Sequence, residues 1–265
     1  MMKIYGKVTN SDLTSAPLDV SCEDTCFDKE DCILAFMDHE GRCILYEFNE
    51  TETLEVVEAE EEDGVMVAFK TTLPTNDDCP LYDSLDLFTS IGEDPVYWTK
   101  TANKFTYKKC VGDWKMFKRQ TPQITVCIQA ILLEGQVSRI TSKEYCEAMG
   151  YKLSGLASVE EVEWVLAKIL ELKPDMDNWQ GFWIDGVREC DECPDFYWTD
   201  GYTEGDTILT SGISSLGNSA YQTGELEGCL SVANIFNAEP GVMINDAVCE
   251  NDPYQWGVVC GYRLL

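Results

Sequence analysis

The hydrophobic pattern divides the second half of the chain into two amphipathic helices and a set of short strands. One helix carries apolar residues on a single face, at the spacing i, i+3, i+4 and i+7: Val162, Val165, Leu166 and Ile169. It is predicted to begin at the capping box Ser158–Glu161, and Pro174 lies just beyond its end. A second box, Thr141–Glu144, predicts a helix that carries Cys146 and stops at Gly150.

Strands are predicted wherever a short apolar run is bounded by turn residues. In the second half these runs cover residues 111–117, 124–132, 181–186 and 196–201. Three further runs lie beside Cys229, Cys249 and Cys260 near the end of the sequence. Strands, two helices and then more strands predict a mixed α+β unit over residues 109–265.

The first 80 residues are predicted to form a helix packed on a hairpin. A helix over residues 20–27 would place Cys22 and Cys26 on one face. Runs at 33–37 and 43–48 flank the turn 38–41, and residues 66–70 form another strand. The four cysteines of this segment allow three pairings. The preferred pairing is nested, with these bonds: Cys26–Cys32 and Cys22–Cys43. Residues 81–108, which are richer in polar residues, are interpreted as a linker between domains.

Composition narrows the function. A hydrophobic fraction of 45% is enough for packed cores, and a formal charge of -29 argues against binding to nucleic acid. No run of eighteen apolar residues is present, so no membrane span is expected. The acidic run at 58–63 is interpreted as an exposed, hydrated loop rather than a cation site.

Thirteen cysteines with a single histidine, His39, favour disulfides over a zinc site. Disulfides predict a secreted, extracellular protein, although the first residues lack the apolar core of a signal peptide, and the leader is expected outside this sequence. The sequon Asn49-Glu50-Thr51 agrees with secretion. His39 lies in the predicted hairpin turn, and no nucleophile–base pair is visible, so no catalytic residue and no enzymatic activity are expected.

The motif Cys190-x-x-Cys193 has the spacing of thiol–disulfide oxidoreductases. That chemistry needs a thiolate stabilised at a helix amino terminus. Here the motif lies between two predicted strands and among carboxylates, which disfavour a thiolate. A structural disulfide between the two cysteines is therefore preferred to a redox centre.

A family resemblance covers the first 80 residues. The pattern Cys-x3-Cys-x5-Cys-Ile-Leu-Ala-Phe-Met, then Cys43, Val-Ala-Phe-Lys and Cys79-Pro80, resembles the PAN-like module of nematode proteins. That module is also called the CW domain and is related to the apple domain. The resemblance implies a binding module rather than an enzyme.

A second resemblance covers the region from residue 109 to the end. Tyr145-Cys146 through Ser158, Trp183-Ile184-Asp185-Gly186, Phe196–Gly201 and Ile244-Asn245-Asp246-x2-Cys249 are similar, in this order, to motifs of the C-type lectin-like domain. Asp185 and Gly186 stand where the family usually has Gly and Leu, and Ile244 stands where it has Trp. The resemblance implies the long form of that fold and three bonds: Cys146–Cys260, Cys229–Cys249 and Cys110–Cys127.

The expected fold class is therefore α+β, in three segments. A disulfide-rich PAN/apple-like module covers residues 1–80, a linker covers 81–108, and a long-form C-type lectin-like domain covers 109–265. Cys79 is left without a partner in this scheme. Two alternatives stay open for it, a free thiol and an intermolecular bond that would link a dimer.

The second resemblance also implies a candidate ligand site. In sugar-binding members, a calcium ion is held by a Glu-Pro-Asn tripeptide, a later Glu and the Asn-Asp pair. Glu227, Asn245 and Asp246 match the last two elements, and are the candidate ligand-binding and calcium-ligating residues. The tripeptide is missing, because its nearest positions read Ser219-Ala220-Tyr221, so the calcium set is incomplete. The alternative for Asn245-Asp246 is a turn that hydrogen-bonds its own backbone.

The expected function is non-catalytic extracellular recognition through the loop between about residues 203 and 248. The first hypothesis is glycan binding, with calcium as the only candidate cofactor. The alternative is a metal-independent protein-binding module in defence or surface interaction. A role in innate immunity is implied by the resemblance alone.

Overall fold

The computed structural model describes residues 1–9, 21–71, 87–91, 95–190, 193, 195–217, 224–235, 239–250 and 252–265. The chain forms two compact units, Met1–Asp113 and Trp114–Leu265, called here the first and second units. Among the described helices, none is long and apolar enough to cross a membrane.

The first unit is built on an antiparallel sheet. Its described elements are β1 (Met2–Val8), α1 (Cys22–Asp28), β2 (Cys32–Met37), β3 (Cys43–Glu47), β4 (Thr53–Glu58), a 3-10 turn (Glu61–Asp63), β5 (Met66–Phe69), β6 (Phe88–Thr89), β7 (Val96–Tyr97), β8 (Thr99–Thr101) and β9 (Lys104–Lys108). Seven of these strands pair in the order β3-β2-β5-β1-β4-β9-β8. β6 and β7 pair separately with each other.

The predicted helix and hairpin are confirmed. The side chain of Ser21 caps α1 by accepting a hydrogen bond from the amide of Asp24 (3.4 Å). β2 and β3 pair antiparallel, and Gly41 takes the positive φ of 77° that their turn needs. Two disulfides join α1 to this hairpin in the nested arrangement: Cys22–Cys43 and Cys26–Cys32.

The linker prediction for residues 81–108 is wrong in its second half. β9 pairs with β4, and its residues Phe105 and Tyr107 point into the core of the first unit. Trp98 is also buried there, with its ring 4.8 Å from that of Phe69 in an edge-to-face contact. The run Lys-Phe-Thr-Tyr-Lys alternates polar and aromatic residues as a strand with one buried face does. Residues 81–86 and 92–94 lie outside the described part of the chain, as does Cys79.

The second unit has a central sheet with one helix on each face. Its described elements are β10 (Lys115–Gln120), β11 (Gln123–Leu132), α2 (Arg139–Ala148), β12 (Lys152–Leu153), α3 (Val159–Leu172), β13 (Gly181–Val187), β14 (Ser214–Ser215), β15 (Cys229–Ala233), β16 (Ile244–Ala247) and β17 (Gln255–Leu264). The order is β10-β11-β17-β13-β15-β16-β14, and β12 pairs with β17. The apolar face of α3 packs in one core with Phe182 and Leu230, whereas Cys146 of α2 packs in another with Trp183.

The helix predictions differ at one boundary. Ser158 caps α3 as expected and accepts a hydrogen bond from the amide of Glu161 (3.2 Å). The cap of α2 is Ser138 rather than Thr141, and Ser138 accepts from the amide of Thr141 (3.2 Å). The helix therefore begins three residues before the box that predicted it. It ends at Ala148 with Met149 as its C-cap, and Gly150 follows with a φ of 86°.

Two strand predictions also shift. The run at 111–117 becomes β10 at Lys115–Gln120, and the run at 196–201 forms only an isolated bridge between Val187 and Tyr197. Asp200 explains the second change, because its carboxylate accepts hydrogen bonds from the amides of Tyr202 (3.0 Å) and Thr203 (2.8 Å). Such local bonds favour a turn over a strand.

Disulfides brace the second unit at three scales. Cys146–Cys260 joins residues 114 positions apart, Cys229–Cys249 joins residues 20 apart, and Cys190–Cys193 joins residues 3 apart. Cys110 and Cys127 are each disulfide-bonded as well, and their pairing with each other stays a prediction. All twelve cysteines that the structure describes are therefore oxidised.

Candidate functional site

The candidate residues lie on β16 and just before β15, two neighbouring strands of the second sheet. β16 pairs with β15 in unbroken register, with Leu230 opposite Asp246 and Ser231 opposite Asn245. Glu227 lies two residues before the start of β15. The strands thus bring the three predicted site residues to one end of the sheet.

The register places Asn245 and Asp246 on opposite faces of that sheet. Side chains alternate along a strand, so Asp246 shares a face with Ile244, and Asn245 shares the other face with Ala247. Ile244 belongs to the core beneath α3, and Ala247 belongs to the core beneath α2. The two side chains therefore diverge and do not converge on one metal ion.

Asp246 is bound by an arginine that sequence reasoning missed. Nη2 of Arg188 donates a hydrogen bond to Oδ2 of Asp246 at 2.6 Å. Both side chains are almost fully buried, with 4% and 3% of their surface exposed. A buried carboxylate needs a cationic partner, because the low-dielectric interior penalises an uncompensated charge. Here the guanidinium meets that need from within the fold.

The surroundings of Arg188 hold it in place. Its guanidinium carbon lies 4.7 Å from the centre of the Phe196 ring, within the range of a cation–π contact. Its backbone amide donates to the carbonyl of Gly228 at 3.0 Å, which ties the end of β13 to the start of β15. Its Nε is buried and has no hydrogen-bond partner among the described residues. The guanidinium of Arg188 is thus held by one ion pair and one cation–π contact, and not all of its donors are hydrogen-bonded to described residues.

Asn245 makes a local bond. Its Nδ2 donates to the backbone carbonyl of Asp246 at 2.6 Å. This is a side-chain bond to the local backbone, of the kind that the alternative to a calcium site predicted for this pair. In the segment between β16 and β17, burial raises the pKa of the Asp252 carboxyl. The nearby carboxylate of Glu227 raises that pKa further. Glu227 therefore lies close enough to Asp252 for the two acids to repel each other.

These contacts do not fit the calcium set that the lectin-like resemblance implies. Asp246 is engaged by Arg188, Asn245 faces the other side of the sheet, and Glu227 lies near Asp252. Calcium takes six to eight converging oxygen ligands. Within the described ranges, no cluster of three or more His, Cys, Asp or Glu side chains is arranged to hold a metal ion. Residues 219–221, the positions of the missing tripeptide, lie outside those ranges.

The departure from the family motif at Asp185 also has a structural reason. Its buried carboxylate accepts hydrogen bonds from Nη2 of Arg139 (2.9 Å), from Oγ1 of Thr199 (2.7 Å) and from the amides of Thr199 and Asp200 (2.9 Å for the latter). The carboxylate joins the first turn of α2 to the segment that leads into the long loop. Asp185 is therefore a structural residue.

A second buried arginine braces the same segment. Arg119 donates from Nε and Nη2 to both carboxylate oxygens of Glu161 (2.8 Å each), from Nη1 to Oγ1 of Thr203 (2.8 Å) and from Nη2 to the carbonyl of Gly155 (2.9 Å). Glu161 also accepts from the amide of Ala157 at 2.7 Å. This network fixes the start of the long loop to α3 and β10.

An exposed aromatic residue lies beside this braced segment. Tyr197 is 45% exposed, and its hydroxyl donates to the carboxylate of Glu189 at 2.8 Å. That hydrogen bond raises the pKa of the Tyr197 hydroxyl. Tyr197 and Glu189 are thus both exposed residues close to the end of β13.

The Cys190–Cys193 disulfide closes the short connection between β13 and Tyr197. The amide of Cys193 donates to the carbonyl of Cys190 at 3.1 Å, which is a turn contact. No described helix begins at either cysteine, so the thiolate-stabilising setting of a redox motif is missing from the described part.

Comparisons with known proteins give one family-model match and a set of similar solved structures. Residues 1–71 match the model of the PAN-like domain. No curated protein matches the sequence. The chain thus has a disulfide-rich PAN-like domain at its amino terminus, and its structural neighbours are C-type lectin-like.

Three of those neighbours illustrate the likeness. The cow C-type carbohydrate-recognition domain of CD23, solved in the presence of an oligosaccharide, is 22% identical, with 58% of this chain and 96% of that chain covered and a TM-score of 0.39. The calcium-independent C-type lectin SPL-2 from Saxidomus purpuratus is 23% identical, with 52% and 86% covered and a TM-score of 0.37. Human lithostathine is 17% identical, with 58% and 91% covered and a TM-score of 0.40.

Proposed function

We propose that this chain is a non-catalytic extracellular recognition protein whose second unit binds glycans without calcium. The observation that carries the calcium independence is the buried ion pair between Arg188 and Asp246. A carboxylate that a guanidinium already compensates has little electrostatic need for a metal ion. The oxidised cysteines support an extracellular location.

The proposed contact surface is the segment around Tyr197 and the adjoining loop between about residues 203 and 248. An exposed aromatic ring stacks on the apolar face of a sugar, and a neighbouring carboxylate accepts hydrogen bonds from its hydroxyls. Tyr197 and Glu189 supply this combination. The arginine and carboxylate networks beneath them keep the surface rigid, which reduces the entropy lost on binding.

A glycan array probed in calcium and in EDTA tests this function. We expect the same glycans to bind in both buffers, and Tyr197→Ala to weaken that binding by about tenfold or more, since an aromatic anchor contributes upward of about 1.4 kcal/mol. Tyr254→Ala is the matched control, because Tyr254 is 48% exposed but contacts Gly181 at the opposite end of β13. Binding that disappears in EDTA would contradict the proposal.

The protein-binding alternative has its own outcome in that experiment. If no glycan binds in either buffer while the protein stays folded, a metal-independent protein ligand becomes the better account. The same Tyr197 surface is then the first place to search, since exposed tyrosines are also common anchors at protein interfaces.

A further inference from the structure

The sequence contains one N-glycosylation sequon, Asn49-Glu50-Thr51. The structure places it in the turn that joins β3 to β4. Asn49 and Glu50 are exposed at the tip of this turn, whereas Phe48 beside them is buried. A sequon on an exposed turn is in the setting that a bulky, hydrated glycan requires.

The turn is firmly held at its base and open at its tip. The amide of Phe48 donates to the carbonyl of Asp31 at 2.7 Å. The carbonyl of Glu47 accepts from the amides of Glu50 (3.3 Å) and Thr51 (3.0 Å). The side chain of Asn49, in contrast, makes no hydrogen bond with any described residue. Its amide nitrogen is therefore free to carry a substituent without breaking a contact.

The folded sheet leaves room for a glycan at this position. β3 is the outermost described strand at its end of the first sheet, so no described strand lies beyond it. The buried ring of Phe48 and the bond from Nζ of Lys109 to its carbonyl (3.0 Å) keep the core closed beneath the turn. A substituent on Asn49 would extend into solvent rather than into the core.

The oxidation state of the cysteines points to a compartment where this modification takes place. All twelve described cysteines are disulfide-bonded, as in chains that fold in the oxidising endoplasmic reticulum. Sequons in such chains are acceptors for oligosaccharide transfer. The exposed sequon and the disulfides are independent observations that lead to the same conclusion.

We propose that Asn49 is N-glycosylated. The donor is an oligosaccharide carried on a polyprenyl diphosphate. A bond forms between Nδ2 of Asn49 and C1 of the first sugar as the bond from C1 to the diphosphate oxygen breaks. The amide nitrogen gives up one proton, the polyprenyl diphosphate leaves, and no group is oxidised or reduced. The side chain of Asn49 keeps its carbonyl oxygen throughout.

The test is the mass of the full chain secreted from a eukaryotic cell behind a secretion signal. We expect one glycan, removed by peptide N-glycosidase with conversion of Asn49 to Asp. Asn49→Gln and Thr51→Ala should each abolish the modification, and Thr51→Ser should keep it. Two variants at different positions guard against a folding defect in either one.

Secreted wild-type protein that carries no glycan on Asn49 would overturn the proposal. So would a glycan that persists in both Asn49→Gln and Thr51→Ala. The readout is a mass and does not depend on ligand binding, so a failure here is separate from a failure of the proposed recognition function.

Discussion

The two buried arginines of the second unit, Arg119 and Arg188, solve the same problem in different ways. Arg119 faces a buried carboxylate with two matched donors and adds bonds to a hydroxyl and a carbonyl. Arg188 faces Asp246 with one donor, rests on a ring and leaves its Nε without a partner among the described residues. The first arrangement is typical of a structural brace.

The second arrangement lies where the family resemblance implied calcium ligands. A guanidinium is permanently charged, so it compensates Asp246 at any physiological pH and any calcium concentration. A metal ion, by contrast, leaves when its concentration falls. In the second unit, the buried charge of Asp246 is compensated by a covalently attached cation, the guanidinium of Arg188.

The largest expected loss of stability comes from breaking the ion pair between Arg119 and Glu161. Arg119→Met removes four hydrogen bonds and leaves Glu161 buried without its cation, so the free energy of unfolding should fall by about 3–5 kcal/mol. Denaturant melts measure this change. Lys118→Met, at an exposed position of the same strand, is the control and should change the stability by less than about 0.5 kcal/mol. Equal effects would show that Arg119 is not a brace.

A double-mutant cycle on Arg188 and Asp246 should give the next largest effect. Arg188→Met and Asp246→Leu each leave one buried charge unpaired, whereas the double variant leaves none. The expected coupling energy is about 1–3 kcal/mol. The pair Lys168 and Glu171, which is far more exposed, is the control, with a coupling of about 0.5 kcal/mol or less. Additive effects at Arg188 and Asp246 would remove the basis for treating the guanidinium as the resident cation.

Asp252, a partly buried acid near the same strand end, extends the comparison through its pKa. Burial and the neighbouring Glu227 raise the pKa of Asp252 in the folded state above its value in the unfolded chain. The folded state therefore takes up this proton first, and the contribution of Asp252 to stability rises as the pH falls through its folded pKa toward its ordinary value near about 4. At higher pH this contribution is lost.

Asp252→Asn tests that sign. In this variant the side-chain amide oxygen can still accept the hydrogen bond from the backbone amide of Tyr254, which lies 2.8 Å from the wild-type carboxylate. The side chain, however, carries no charge. We expect the variant to unfold at a higher denaturant concentration than the wild type at pH 7, with the difference shrinking as the pH approaches about 4. A difference that grows toward low pH would mean that the pKa of Asp252 is lowered, not raised.

Much of the fold could be predicted from the sequence because the patterns that indicate it lie within a few residues of one another. The periodicity of α3, its Ser158 cap and the hairpin around Gly41 each depend on residues a few positions apart. The nested disulfides of the first unit match the preferred one of the three pairings that the sequence allowed. The strand β9 was missed because a five-residue alternation is too short to distinguish from a polar linker.

The candidate site was harder to predict from the sequence because its geometry depends on how the strands are paired. Arg188 follows directly after β13, where the pairing with β15 is irregular between Trp183 and Val187, so its orientation cannot be counted from the strand. Asn245 and Asp246 look like a ligand pair in the sequence. Only their pairing with β15 places them on opposite faces. The sequence signal that could have pointed to the ion pair was an arginine, Arg188, directly after an apolar strand.

Thermal unfolding of the full chain in millimolar calcium and in EDTA tests the central claim most directly. If Arg188 is the cation that compensates Asp246, the midpoint temperature should be the same in both buffers. A calcium-bound native state would instead gain stability as RT ln(1 + [Ca²⁺]/Kd), which is about 2.7 kcal/mol at a hundredfold excess over Kd. A saturable rise of the midpoint with calcium, lost in Asp246→Leu, would contradict the account.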